Sequence, residues 1–294
     1  IKAGDGDYDP PSPGLPDNHC YNTWYNGHAM DLGKFLKGYW QLIKPDWMYG
    51  CGEFGAEGLD PINVMQKYYP KDWLPKDLAD SISWTPKRIS KAQSSVMHHM
   101  WYATPQGLGG WIKESQDFQS WAVKLVTESF RRDSRNVSCA VHLFIDAWPA
   151  GWMKAIMDVD RQPKPAFFAY RNALSPLMAS LRTDRFYWYA GEQAEVEAWI
   201  CNDGNTIPEK LSMGYEVIIG GKLIVKQLVK ADAAASSSLY QGKIRFLVPA
   251  VKMRTTGTIR IGLFNNKGEC IHSNSQELVF FPSQEKIDLK GMIT

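Results

Sequence analysis

The chain has 294 residues, with 33 Lys+Arg against 31 Asp+Glu, 44% hydrophobic and 22% charged residues, 12 tryptophans and 5 cysteines. Scattered basic residues and a net charge of +2 give no electrostatic footprint for nucleic acid or an anionic membrane. No apolar run approaches the roughly 18 residues of a spanning helix, and cysteines 20, 51, 139, 201 and 270 form no close pair of the zinc or redox kind.

These figures leave a globular protein of about two domains. The chain starts at Ile1 without a signal peptide, so the expectation is a chain cut from something longer. Its compartment, with secreted and periplasmic both open, is not written in these residues. Ten tryptophans fall between Trp24 and Trp152 and only Trp188 and Trp199 follow, which places a boundary near residue 183, with domains at 1–182 and 183–294.

In chain order, Asp17 to Tyr25 is dense in polar and aromatic groups and reads as a loop before a helix. Asp31 can cap that helix, whose apolar residues Leu32, Phe35, Leu36, Tyr39, Trp40 and Ile43 follow a 3.6-residue period, with Pro45 just beyond. The short apolar stretch from Trp47 to Cys51 ends at Gly52-Glu53-Phe54-Gly55. A second helix is predicted from about Gln116 to Arg132, with Phe118, Trp121, Ala122, Leu125 and Val126 on one face and Ser115 as its cap. The nearly continuous apolar run from Cys139 to Asp146 suits a strand buried on both faces. Helices alternating with buried strands imply an α/β layer with a parallel sheet.

From about Phe186 the pattern changes to period-2 alternation, with Ala194, Val196, Ala198 and Ile200 set against Gln193, Glu195, Glu197 and Trp199. Further strands are predicted at Gly214–Ile219, Lys222–Val229, Tyr240–Val248 and Thr258–Phe264, with turns at Gly220-Gly221 and Asn265-Asn266-Lys267-Gly268. Ala233 to Ser238 reads as a solvated loop. About seven short strands over roughly 110 residues suggest an all-β antiparallel sandwich of immunoglobulin-like size.

Three segments could carry chemistry. Gly50, Gly52 and Gly55 satisfy a Gly-x-Gly-x-x-Gly pattern, and Asp72 stands at the distance a nucleotide site requires. The context fails, because Pro61, Pro70 and Pro75 interrupt the segment and no apolar strand surrounds Asp72. Alternatively, Glu53 is a carboxylate at the C-terminal end of a barrel strand, able to attack an anomeric carbon. Equally, Glu53 or Glu57 could start a helix, where the dipole favours negative charge.

In the third segment, His142 to Trp152, an apolar run leads into Asp146, Trp148 and Pro149. An exposed ring there can stack on a sugar face while a carboxylate beside it accepts from hydroxyls. Trp148 suits that role; Trp152 reads as an ordinary buried aromatic. His19, His28, His98 and His99 have no carboxylate or thiol at ligand spacing, which favours structural or solvated roles over metal binding. The sequence has no Gly-x-Ser-x-Gly elbow, phosphate loop or His-Glu-x-x-His motif. Asn136-Val137-Ser138 fits a glycosylation sequon.

Together, Cys51-Gly52-Glu53-Phe54-Gly55, Arg131-Arg132, Phe144-Ile145-Asp146-Ala147-Trp148-Pro149 and Pro163-Lys164-Pro165-Ala166-Phe167-Phe168-Ala169-Tyr170 resemble glycoside hydrolase family 2, which includes β-galactosidases, β-glucuronidases and β-mannosidases. The resemblance covers most of residues 15 to 180. It implies a retaining exo-β-glycosidase that acts on terminal β-linked sugars without cofactor or metal. The fold implied is the last three or so βα units of a (β/α)8 TIM barrel, followed by a sandwich. Glu53 matches the nucleophile, Asp146 and Trp148 match a wall of the sugar site, and Tyr21 or Tyr25 is similar to a tyrosine that contacts the nucleophile. Trp24, between them, is a further candidate for sugar contact.

Retaining hydrolysis needs a second carboxyl as acid/base. In the family this is a Glu following Asn, and the sequence contains no Asn-Glu dipeptide. The expectation is that the acid/base lies upstream and that these residues alone are inactive, with the missing N-terminal part as their partner. The alternative is a non-catalytic carbohydrate-binding protein on the same fold.

Overall fold

The computed structural model describes residues 2–5, 15–17, 19–25, 48–150, 153–206 and 210–283. The helix predicted from Asp31 to Ile43, His28 and Trp152 lie outside the described residues. The chain divides into two compact units at Ser175/Pro176, a few residues before the expected boundary.

The first unit is built on a four-stranded sheet, β1 (Lys2–Asp5), β2 (Leu15–Asp17), β3 (Tyr49–Phe54) and β4 (Asn136–Val141), in that spatial order and parallel throughout. Parallel neighbours need a crossover, usually helical. Between β3 and β4 this is supplied by α1 (Ile62–Tyr68), α2 (Leu78–Ser83), α3 (Ser94–Met97) and the long α4 (Gly107–Arg132); α5 (Pro165–Ala173) follows β4.

Helix α4 begins well before the predicted start, passing through Gly107, Gly109 and Gly110. Burial of Leu108 and Trp111 against Leu59, Met65, Tyr69 and Trp84 outweighs the poor helix propensity of glycine. Ser115 is therefore not a cap. It is a buried residue inside the helix, accepting from the Leu59 N–H and donating to the Ile112 carbonyl.

The strand expected from Cys139 to Asp146 ends at Val141, and β4 is half exposed rather than buried on both faces. Among the described residues it pairs only with β3. Beyond it the chain folds back on itself, with the Ile156 and Met157 N–H groups donating to the Leu143 and Phe144 carbonyls and the Asp146 N–H to the Met157 carbonyl.

The second unit has a three-stranded antiparallel sheet, ordered β10 (Ser237–Leu247), β7 (Gln193–Asn202), β5 (Leu177–Arg182). Its five-stranded sheet runs β6 (Tyr187–Tyr189), β12 (Cys270–Phe281), β11 (Thr255–Phe264), β8 (Ser212–Ile219), β9 (Lys222–Lys230), antiparallel except for β6 with β12. Inward residues of both sheets, among them Val196, Ile200, Val217, Ile259 and Phe280, share one core.

The predicted turn at Gly220-Gly221 has φ of 54° and 78°, a region glycine enters without strain. Ser237 and Ser238, expected in a loop, open β10 and pair with Asn202 and Cys201. Strand β12 escaped the sequence pattern because two of its inward residues are polar. His272 and Asn274 are buried and bond the Ala179 backbone on β5, His272 Nδ1 accepting from the N–H at 3.2 Å and the Asn274 amide donating to the carbonyl at 3.0 Å.

Candidate active site

Because β2, β3 and β4 are parallel, their C-terminal ends lie side by side, the end at which parallel sheets place their functional groups. Three segments meet there: His19 to Tyr25 after β2, Glu53 and Phe54 closing β3, and His142 after β4. The Cys20 N–H donates to the Glu53 carbonyl at 2.8 Å and the His142 N–H to the Phe54 carbonyl at 2.8 Å, locking the three strand ends together. A Cβ on Gly55 would come within 2.5 Å of the His142 carbonyl oxygen, so glycine is what allows this approach.

Phe54 points into the core, and alternation along the strand turns Glu53 the other way. Its side chain stays partly accessible at 36%. The Tyr21 hydroxyl donates to Glu53 Oε2 at 2.7 Å, and His19 Nδ1 stands 3.5 Å from the same oxygen. Burial, reinforced by the hydrogen bond to Glu53, pushes the Tyr21 hydroxyl well above its ordinary pKa, so it remains a donor. Tyr25 packs against Tyr21 at 5.3 Å between ring centroids, but its hydroxyl accepts from Lys154 at 2.7 Å.

The His142 ring meets Tyr21 edge-on at 6.4 Å. Burial holds its pKa below the ordinary value against the opposing pull of Glu53, with Lys154 and His19 acting in the same direction as burial. Cys51, two residues before Glu53, donates its thiol to the Glu53 carbonyl at 3.2 Å. None of the five cysteines is in a disulfide.

The remaining candidates separate. Trp148 is 75% exposed, an open ring beyond the end of β4. Asp146 is buried, and its charge, after burial itself and Asp60, helps to raise the pKa of the Tyr69 hydroxyl. Trp24 is wholly buried in a cluster with Ala56, Phe118 and Ala122, its indole N–H donating to Gln93 Oε1 at 2.7 Å. It belongs to the core behind the site and not to a surface that a sugar could reach.

Glu57 neither faces the opening nor starts a helix of its own. Fully buried, it accepts from the Gln93 N–H at 2.8 Å and from the Ser94 N–H and hydroxyl at 3.1 and 2.8 Å, satisfying donors where α3 begins. Burial raises its pKa against those hydrogen bonds and the charge of Lys154. Among the described residues no cluster of His, Cys, Asp or Glu could hold a metal, and no helix is long and apolar enough to cross a membrane.

His19, read from the sequence as structural or solvated, stands beside Glu53, with His142 and Lys154, which the sequence marked for no role, as further neighbours of Tyr21.

No family model matches the sequence, and no curated protein matches it. Solved structures share its fold. The β-D-mannosidase of Dictyoglomus thermophilum superposes with a TM-score of 0.64 at 19% identity, over 92% of this chain and 31% of that one. The exo-chitosanase of Amycolatopsis orientalis, in complex with PNP-β-D-glucosamine, gives 0.56 at 14% identity over 84% and 29%. Another structure of that exo-chitosanase gives 0.52 at 15% identity over 76% and 27%. The chain thus spans under a third of the length of each. At these identities the likeness is one of fold.

Proposed function

We propose that the chain is part of a retaining exo-β-glycosidase in which Glu53 is the nucleophile. The observation that carries the reading is the Glu53 carboxylate, part-exposed at the C-terminal end of a parallel strand, with one oxygen fixed by the Tyr21 hydroxyl at 2.7 Å. A nucleophile needs one oxygen held and the other free to reach the anomeric carbon. The parallel sheet with its covering helices is consistent with the last units of a (β/α)8 barrel, and the two-sheet unit with an immunoglobulin-like sandwich.

The chemistry would run in two displacements. A Glu53 oxygen bonds to the anomeric carbon as the glycosidic C–O bond breaks and a general acid protonates the leaving oxygen. Water, deprotonated by the same acid/base, then displaces the ester, and the electron pair returns to Glu53. The acid/base carboxyl is supplied, on this reading, by sequence outside this chain. Tyr21 anchors the nucleophile and Trp148 offers a ring for stacking on the sugar. The substrate is a terminal β-linked sugar, in keeping with the β-mannosidase and exo-chitosanase that share the fold.

Trapping the full-length enzyme with a fluorinated glycosyl fluoride, followed by digestion and peptide sequencing, tests the assignment. The expected result is a glycosyl adduct on Glu53. An adduct on another residue sinks it, and absence of any adduct favours a carbohydrate-binding protein without turnover.

A further inference from the structure

Lys154 lies in the segment that folds back after β4, and it is buried to 1% exposure. Its carbonyl is clamped twice, by the Leu143 N–H at 3.3 Å and the Gln119 side-chain amide at 2.9 Å. An enclosed ammonium is costly unless acceptors and opposite charge surround it. Here Nζ donates to the Tyr25 hydroxyl at 2.7 Å and lies 4.9 and 4.7 Å from the ring centroids of Tyr21 and Tyr25, where each π face attracts a cation. Its charge also reaches the buried carboxylate of Glu57 and the imidazole of His142. Tyr21, gripped on its ring by this cation, in turn donates to Glu53.

We propose that Lys154 is a positioning residue for Glu53: by occupying Tyr25 and drawing the Tyr21 ring against its ammonium, it keeps the Tyr21 hydroxyl aimed at Glu53. The inference rests on the reading of Glu53 as a retaining nucleophile and assigns a direction to each chemical step. In the first displacement the carboxylate loses its charge to the new C–O bond, so a cation-backed donor stabilises the starting state. In the second the charge returns to Glu53 as that bond breaks, so the same donor stabilises the transition state. Removing the cation slows release of the glycosyl group and does not slow its formation.

The test is Lys154→Met in the full-length enzyme, with a dinitrophenyl β-glycoside whose leaving group makes the second step limiting. A desolvated cation–π contact corresponds to a fall in kcat of about thirty-fold. KM should fall with it, kcat/KM should change far less, and Lys154→Arg should restore kcat. A loss of kcat and kcat/KM in equal proportion, or no change in either, overturns the proposal. If the Met variant does not fold, Lys154→Arg decides: wild-type kcat and KM support a role for charge, and a loss shared equally by kcat and kcat/KM refutes it. The fluorinated-sugar label is read first on the wild type, so absence of label on Glu53 refutes the reading of Glu53 as nucleophile itself, separately from Lys154.

Discussion

A phenol that donates to one carboxylate oxygen from a buried position fixes that carboxylate more firmly than a solvated donor could, because the phenol has little water to turn to instead. This is the relation of Tyr21 to Glu53. His142 completes the setting as a neutral ring: burial depresses its pKa from the ordinary 6.5. The unfolded chain takes up a proton near that pH while the folded chain resists, so the neutral imidazole contributes stability that is complete above pH 6.5 and is lost as pH falls through the depressed folded value. His142→Gln should therefore flatten the decline of the urea midpoint below pH 6.5 relative to wild type; an unchanged slope would show that other groups set it. At this scale Glu53 was legible because glycines on both sides and an apolar strand before it form a local pattern. Lys154 and His142 were not, because their meaning comes from Tyr21 and Tyr25, more than a hundred residues away in the chain.

Among the elements, the loop after β3 and the segment before α5 are joined by buried charge. Lys164 Nζ donates to the Gly58 carbonyl at 2.8 Å and pairs with Asp60 Oδ1 at 3.5 Å, with both side chains almost wholly buried. Asp60 also accepts from the Tyr69 hydroxyl at 2.8 Å and the Ala150 N–H at 3.3 Å. Removing one partner strands the other charge, at a cost of about 3–5 kcal/mol. Lys164→Met should lower stability by that order in chemical denaturation, and Lys164→Met with Asp60→Leu should recover part of the loss. A single variant within about 0.5 kcal/mol of wild type, the size expected at an ordinary surface site, would contradict this role.

The motif around Lys164 was visible in the sequence, but its physical reason was not. Similarly, Arg131 closes the end of α5 through the Ala173 and Ser175 carbonyls at 2.8 and 2.7 Å, a contact that no periodicity reveals. Strands β7, β8 and β11 were legible because alternation tracks burial. β12 was not, because buried His272 and Asn274 satisfy backbone groups of β5 and break the apolar pattern.

Over the whole molecule, each unit has its own core, and the two could be told apart from sequence because helical and two-residue periods segregate. Parallel sheets are normally covered on both faces, yet β4 exposes Val137 and, just beyond, Phe144 and Ile145. This openness agrees with the proposal that further strands complete a barrel and bring the acid/base opposite Glu53. The central claim is that Glu53 is the nucleophile of a double displacement, and the stereochemistry of rescue tests it most directly. In the full-length enzyme carrying Glu53→Ala, given sodium azide and an activated aryl β-glycoside, azide should enter the vacated space and displace the aryl group in a single inversion. The account predicts restored turnover with an α-glycosyl azide as product; a β-glycosyl azide, or hydrolysis at the wild-type rate without azide, would contradict it.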